Sequence, residues 1–225
     1  MPAHALDALN RADRREFLAA LGTVYEHAPW VAEAALASRP FKSIAELHAT
    51  LFGAIRAVEP GKQMALVMGH PDLAGKAARA GALTPESAAE QASAGLNRLS
   101  DAEYVQFHKL NDAYKSRFGF PFIVCARRHG KESILREFER RLGNSPETEL
   151  RKALDEILRI GALRLDEKVS APDKLKVHGR LSTHVLDTHS GCPAEGVAVE
   201  LAELSGGDSA QTIARAVTNA DGRTD

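Results

Sequence analysis

The chain has 225 residues, a formal net charge of −1, and 44% hydrophobic and 26% charged residues. That is the make-up of an ordinary globular protein, long enough for one large domain or a domain plus a smaller unit. So balanced a charge gives no electrostatic reason to expect nucleic acid or a membrane surface as partner.

Cys125 and Cys192 are too few and too far apart for a disulfide framework, and neither belongs to a pair at zinc-ligand spacing, so a reducing, cytoplasmic setting is the expectation. Met1 to Arg15 is polar and charged, with no apolar stretch of signal-peptide type. Nowhere do about 18 apolar residues follow one another.

From about residue 7 to residue 168 the apolar period is helical, which predicts an all-α first domain. Ser43 to Glu46 and Ser100 to Glu103 have capping-box spacing, and Thr84-Pro85 and Ser145-Pro146 place a capping hydroxyl before a proline at the first helical position. Between these starts Tyr104, Phe107, His108, Asn111, Tyr114 and Phe118 fall on one stripe, and Leu150, Leu154, Ile157 and Leu158 on another. Such stripes pack helix on helix.

Gly69-His70-Pro71-Asp72-Leu73 is the sharpest local signal. Pro71 is suited to opening a helix, which would set His70 near a helix N-terminus. The free N–H groups and macrodipole there disfavour an imidazolium and attract an anion, so a neutral imidazole beside a carboxylate-bearing ligand is one reading and a capping or surface histidine the other.

On the helix after Thr84-Pro85, Ser87, Glu90 and Gln91 share adjoining parts of one face. Ala88, Ala92, Leu96 and Leu99 form a separate stripe expected to be buried, which leaves the polar set facing either a pocket or water. In Phe118 to Arg127, Gly119 and Pro121 interrupt an apolar run, so a buried non-helical turn is implied. Its backbone N–H groups need partners, from protein or from a ligand. The nine histidines are scattered, with no His-x-x-x-His pair, and no metal site is expected.

After Val169 the pattern changes. Ser170-Ala171-Pro172-Asp173-Lys174 reads as part of a linker over 169–178. Beyond it Leu181, Thr183 and Val185 alternate, as do Val197, Val199 and Leu201, with Ser190-Gly191-Cys192-Pro193 as a turn between them. This is β grammar over residues 179–225, fewer than the roughly 100 residues of a two-sheet sandwich, and an incomplete β unit is expected.

Taken in order, Glu26-His27-Ala28-Pro29-Trp30, Gly69 to Lys76, Ser87-Ala88-Ala89-Glu90-Gln91 and Phe120 to Arg127 resemble the family of decarboxylases acting on 2-oxo-4-hydroxy-4-carboxy-5-ureidoimidazoline (OHCU). The likeness spans about residues 7 to 168. It implies a helical, cofactor-free carboxy-lyase that makes (S)-allantoin and CO2 from a small ureide acid, and a homodimer. His70 and Glu90 fall on its catalytic positions, and Pro71, Ser87, Gln91, Phe122, Ile123, Val124, Cys125, Ala126 and Arg164 on its substrate contacts.

Leu181 to Thr188 and Thr218 to Arg223 resemble the transthyretin-like 5-hydroxyisourate hydrolases, which implies active-site roles for His184 and Arg223. That family's carboxy-terminal Tyr-Arg-Gly-Ser signature has no counterpart in these residues, so this part is expected to be inactive. The alternative for the whole chain is a non-catalytic helical ligand-binding or interaction module.

Overall fold

The structure is a computed structural model that describes residues 3–175, 177, 183–204 and 210–224. By contact density the chain divides into two compact units, Met1–His178 and Gly179–Asp225.

The first unit is a helical bundle. Its helices run in the order α1 (Leu6–Arg11), α2 (Arg14–Leu21), α3 (Pro29–Ala35), α4 (Ile44–Ala57), α5 (Pro60–Met68), α6 (Lys76–Arg79), α7 (Pro85–Ser93), α8 (Asp101–Phe118), α9 (Lys131–Arg141) and α10 (Pro146–Lys168). Each of the four expected starts carries its cap: Ser43, Thr84, Ser100 and Ser145 accept a hydrogen bond from the backbone N–H three residues on. A further capping box, Asp13 with Glu16, opens α2.

Helix α10 organises the rest. From Glu156 to Asp166 every residue except Arg159 is buried, as expected of a helix surrounded by others. Gly161 is required there, because a Cβ would lie 2.3 Å from the Tyr25 ring. The polar residues in this stretch are each partnered: Glu156 accepts the Cys125 N–H at 2.9 Å, and Asp166 accepts the Leu175 N–H at 3.0 Å. Burying a charge without such partners would cost several kcal/mol per ion, about the whole margin of stability.

Three packing expectations change. On α8 the buried face is Phe107, Asn111, Tyr114 and Phe118, while Tyr104 and His108 are only partly buried. On α10 Leu150 and Leu154 are partly buried, and Ala153, Ile157 and Ile160 take the core. On α7 the polar set faces inward, with Ser87 and Gln91 buried, while of the stripe expected to be buried Leu96 is buried, Leu99 partly so, and Ala88 and Ala92 are exposed. Alanine loses little by exposure, and the polar pair finds partners inside.

The supposed linker is docked. Val169 is fully buried, and β2 (Val169–Ser170) pairs in parallel with β1 (His4–Ala5). The Asp173 carboxylate caps α4 by accepting the N–H groups of Ile44 (3.1 Å) and Ala45 (3.2 Å), and Leu175 and Val177 pack on the core. Of the residues that suggested a tether, Asp173 serves as an extra cap, Lys174 donates to the Asp166 carbonyl at 2.9 Å, and Ser170 belongs to a paired strand.

The second unit consists of the antiparallel pairs β3 (Leu186–Asp187) with β4 (Cys192–Pro193), and β5 (Ala198–Leu204) with β6 (Ala210–Val217). Leu181 lies outside the described residues, Thr183 and Val185 are in no strand, and Cys192-Pro193 is strand where a turn was expected. Leu186, Val197, Leu201, Ile213 and Val217 are exposed. Among the described side chains of this unit no large apolar one is buried.

A chain ending at Lys168 is expected to unfold at a lower temperature than one ending at His178. Asp173→Ala alone should cost about 1 kcal/mol, the usual loss for a removed cap. Calorimetric melting of these variants checks both, and equal melting temperatures for the two lengths would reject the docked role.

Candidate active site

The site forms where α5 ends, α7 passes and α10 is buried deepest. Gly69 closes α5 and His70 follows it. The expected helix after Pro71 does not form: residues 71–75 make a turn, and α6 begins only at Lys76. His70 therefore stands at the C-terminal end of a helix, where the dipole favours an imidazolium. It is kept neutral by another cause. Burial pushes its pKa down to about 4, against the opposing influence of its bond to Leu66 and the charge of Glu26.

His70 Nδ1 lies 2.9 Å from the Leu66 carbonyl oxygen. A carbonyl only accepts, so Nδ1 is assigned the proton and Nε2 the lone pair. The neutral ring offers a base.

Arg164 on α10 is 3% exposed. Its Nε and Nη2 each meet a Glu90 carboxylate oxygen at 2.7 Å, a two-pronged pair. Nη1 donates to Glu26 Oε2 (3.0 Å) and, at a long 3.5 Å, to the Val24 carbonyl, while Nη2 also donates to Ser87 Oγ (3.3 Å). With five N–H groups, an arginine so placed has none left over.

Glu26 in turn accepts from Thr84 Oγ1 (2.8 Å) and Ser87 Oγ (3.0 Å). Burial would raise its pKa, but these hydroxyls and the Arg164 charge together hold it below the usual carboxylate range. Arg164 is shifted upward, and the guanidinium stays charged although burial opposes it.

His70, Pro71, Leu73, Ser87, Glu90, Gln91, Phe122, Ile123, Val124, Ala126, Ile160 and Arg164 line one hollow of about 390 Å³ out to its mouth. Its inner free space, about 30 Å³, has room for about two waters. A ligand must push lining side chains apart.

The segment after α8 is non-helical and buried, as the interrupted apolar run implied, with Gly119 at φ 79° turning the chain out of the helix. The amides of Ile123, Val124 and Ala126 meet no acceptor among the described residues, whereas the Ile123 carbonyl is taken by Arg141 Nη1 (2.7 Å). Cys125 departs from the expected set. Its N–H is committed to Glu156, and it does not line the hollow. Its thiol is buried and pushed up to about 12 by that burial, so it is no nucleophile.

Leu73 and Ile160 line the hollow and Glu26 stands behind it; the sequence blocks contain Glu26 and Leu73 without giving them a site role, and Ile160 is not singled out by the sequence. A single acid before a helix, or one more aliphatic residue, carries no spacing signal. Among the described residues no group of three or more His, Cys, Asp or Glu could hold a metal, and no helix is long and apolar enough to cross a membrane.

The pattern described as OHCU decarboxylase matches residues 10–166. This chain belongs to the OHCU decarboxylase family. The 2-oxo-4-hydroxy-4-carboxy-5-ureidoimidazoline decarboxylase of Haloferax volcanii is 43% identical over 166 residues, 74% of this chain and 96% of that one. The uric acid degradation bifunctional protein PucL of Bacillus subtilis is 35% identical over 177 residues, 79% of this chain and 35% of PucL.

Among solved structures, an (S)-allantoin synthase superposes with a TM-score of 0.61 at 31% identity, covering 98% of this chain and 73% of that one. Residues 181–225 match the HIUase/Transthyretin family. In that unit His184 and Arg223 are exposed and joined by an antiparallel backbone bridge.

In nitrogen-detected NMR of the free protein, His70 should show the Nδ1–H tautomer at pH 7 and a titration midpoint near 4. A midpoint between 6 and 7, the range of an unperturbed imidazole, would reject the buried neutral base.

Proposed function

We infer that the helical unit decarboxylates OHCU to (S)-allantoin and CO2. The observation that carries this is that His70, Glu90 and the residues Ile123, Val124 and Ala126, whose amides meet no acceptor among the described residues, line one hollow. Together they offer a base, an acceptor for ureide N–H groups and donors for a carbonyl oxygen.

The substrate named by the family carries a carboxylate next to an imine-like carbon. When the bond to CO2 breaks, its electron pair moves into the C=N group, and a proton from solvent completes the ring nitrogen. The sink is in the substrate, and no cofactor is invoked. The amides of Ile123, Val124 and Ala126 stabilise charge spreading onto the neighbouring ring oxygen, and Leu73, Ile160 and Phe122 keep water from the carboxylate.

The product of that step is an enol. His70 Nε2 takes the hydroxyl proton and returns it to the adjacent carbon on one face, which gives a single-handed product. A neutral resting histidine suits this shuttle, since it must first accept. Pro71 and Gln91 shape the same wall.

Arg164, expected as a substrate contact, has its N–H groups committed to protein acceptors. We read it as the residue that fixes the Glu90 carboxylate, with Ser87 and Glu26 holding it from behind. Cys125 is read as structural.

The family reading extends to a homodimer, and light scattering decides it. A cytoplasmic setting fits two unpaired thiols, Cys125 and Cys192. Hydrolysis of 5-hydroxyisourate is not expected of residues 179–225, because the described part of that unit buries no large apolar side chain.

With OHCU generated in situ from urate, the chain should release CO2 and produce allantoin of one handedness by circular dichroism. His70→Asn should lower kcat by about 100-fold or more. Because the neutral imidazole is the working form, kcat/KM should hold through neutral pH and fall as pH drops through about 4. Near-normal turnover in folded His70→Asn would reject His70 as the base, whereas ligand binding without CO2 release would support the non-catalytic module instead.

A further inference from the structure

The turn that carries His70 is held from outside by a residue that takes no part in the chemistry above. Between Gly69 and Lys76 the chain has neither helix nor strand, and Ala74 sits at φ 52°, where side chains other than glycine are uncommon. Gly75 is close behind, and a Cβ there would lie 2.7 Å from Asp72 Cβ. The turn's own link is weak, a 3.4 Å bond from the Gly75 N–H to the Asp72 carbonyl.

Two helices grip it. From α7, Gln91 Oε1 accepts the Ala74 N–H at 2.9 Å. From α8, Asn111 Nδ2 donates to the Leu73 carbonyl at 2.9 Å.

Asn111 is 2% exposed and shares its face with Phe107, Tyr114 and Phe118. Because the Leu73 oxygen can only accept, the amide nitrogen must face it. That orientation leaves Asn111 Oδ1 buried with no hydrogen-bond partner among the described residues. An orphaned buried acceptor opposes folding, and such an atom in a native interior calls for a reason. The amide's one bond runs to the turn between His70 and Gly75.

We propose that Asn111 is a positioning residue for decarboxylation: its bond to the Leu73 carbonyl fixes the turn that sets the His70 imidazole and the Leu73 wall against the ligand. This rests on the decarboxylase reading. Displacement of a reacting group by about 1 Å is enough to cost up to about 100-fold in rate.

Two variants test it in the full chain, with folding followed by circular dichroism and pH profiles of kcat and KM measured on OHCU. Asn111→Leu removes the donor and should lower kcat about tenfold at every pH, with KM within about twofold. Asn111→Asp is the conditional rescue. Its buried carboxyl has a raised pKa, and while protonated its O–H can donate to Leu73 as the amide did.

Asn111→Asp should therefore approach wild-type kcat at low pH and lose about tenfold as the carboxyl ionises, a limb absent from wild type. Wild-type kcat and pH profile in both folded variants would overturn the proposal. So would a folded Asn111→Asp that is equally impaired at all pH, or failure of both variants to fold, which would make Asn111 a residue of the fold alone. Failure of the wild-type chain to release CO2 would instead overturn the decarboxylase reading.

Discussion

The burial of one guanidinium constrains the first unit more than any other contact. Arg164 is on the helix surrounded by the others, and a cation taken out of water persists only if its hydrogen-bonding capacity is met. Glu90 comes from α7, Glu26 and Val24 from the segment between α2 and α3, and Ser87 again from α7. Segments far apart in sequence are thereby fixed on one point. The Glu90 carboxylate that lines the hollow and the framework behind it belong to one network.

Beside that network the site keeps a neutral imidazole. The two devices work in opposite senses: charges are concentrated and paired on the Arg164 side, and excluded on the His70 side. Burial depresses the histidine more than Glu26 supports it, and the Leu66 carbonyl assigns its proton to Nδ1. A low-dielectric chamber with fixed donors then favours a reaction whose charge spreads as it proceeds.

Much of the fold was legible in the sequence because helix starts are local chemistry. Ser43, Thr84, Ser100 and Ser145 each cap the helix they announce. The failures share a cause, since tertiary partners decide them. Pro71 opens no helix because the chain turns through Ala74, held by Gln91 and Asn111. Ser87 and Gln91 are buried and Ala88 exposed because a buried arginine and a strained turn lie on the polar side of α7. Residues 169–178 read as a tether, since a cap supplied by Asp173 to a helix more than a hundred residues away has no local signature.

In the site, the ordered blocks pointed to His70 and Glu90, and the family resemblance alone to Arg164, but spacing could not show that Arg164 is saturated or that the Cys125 amide is spoken for. The central claim is that Arg164 acts through Glu90. A double-mutant cycle in kcat/KM on Arg164→Gln, Glu90→Gln and the pair, in variants verified as folded, tests it most directly. The account predicts that the double variant is no worse than Glu90→Gln alone. Losses that simply add would show that Arg164 meets the ligand independently and would contradict it.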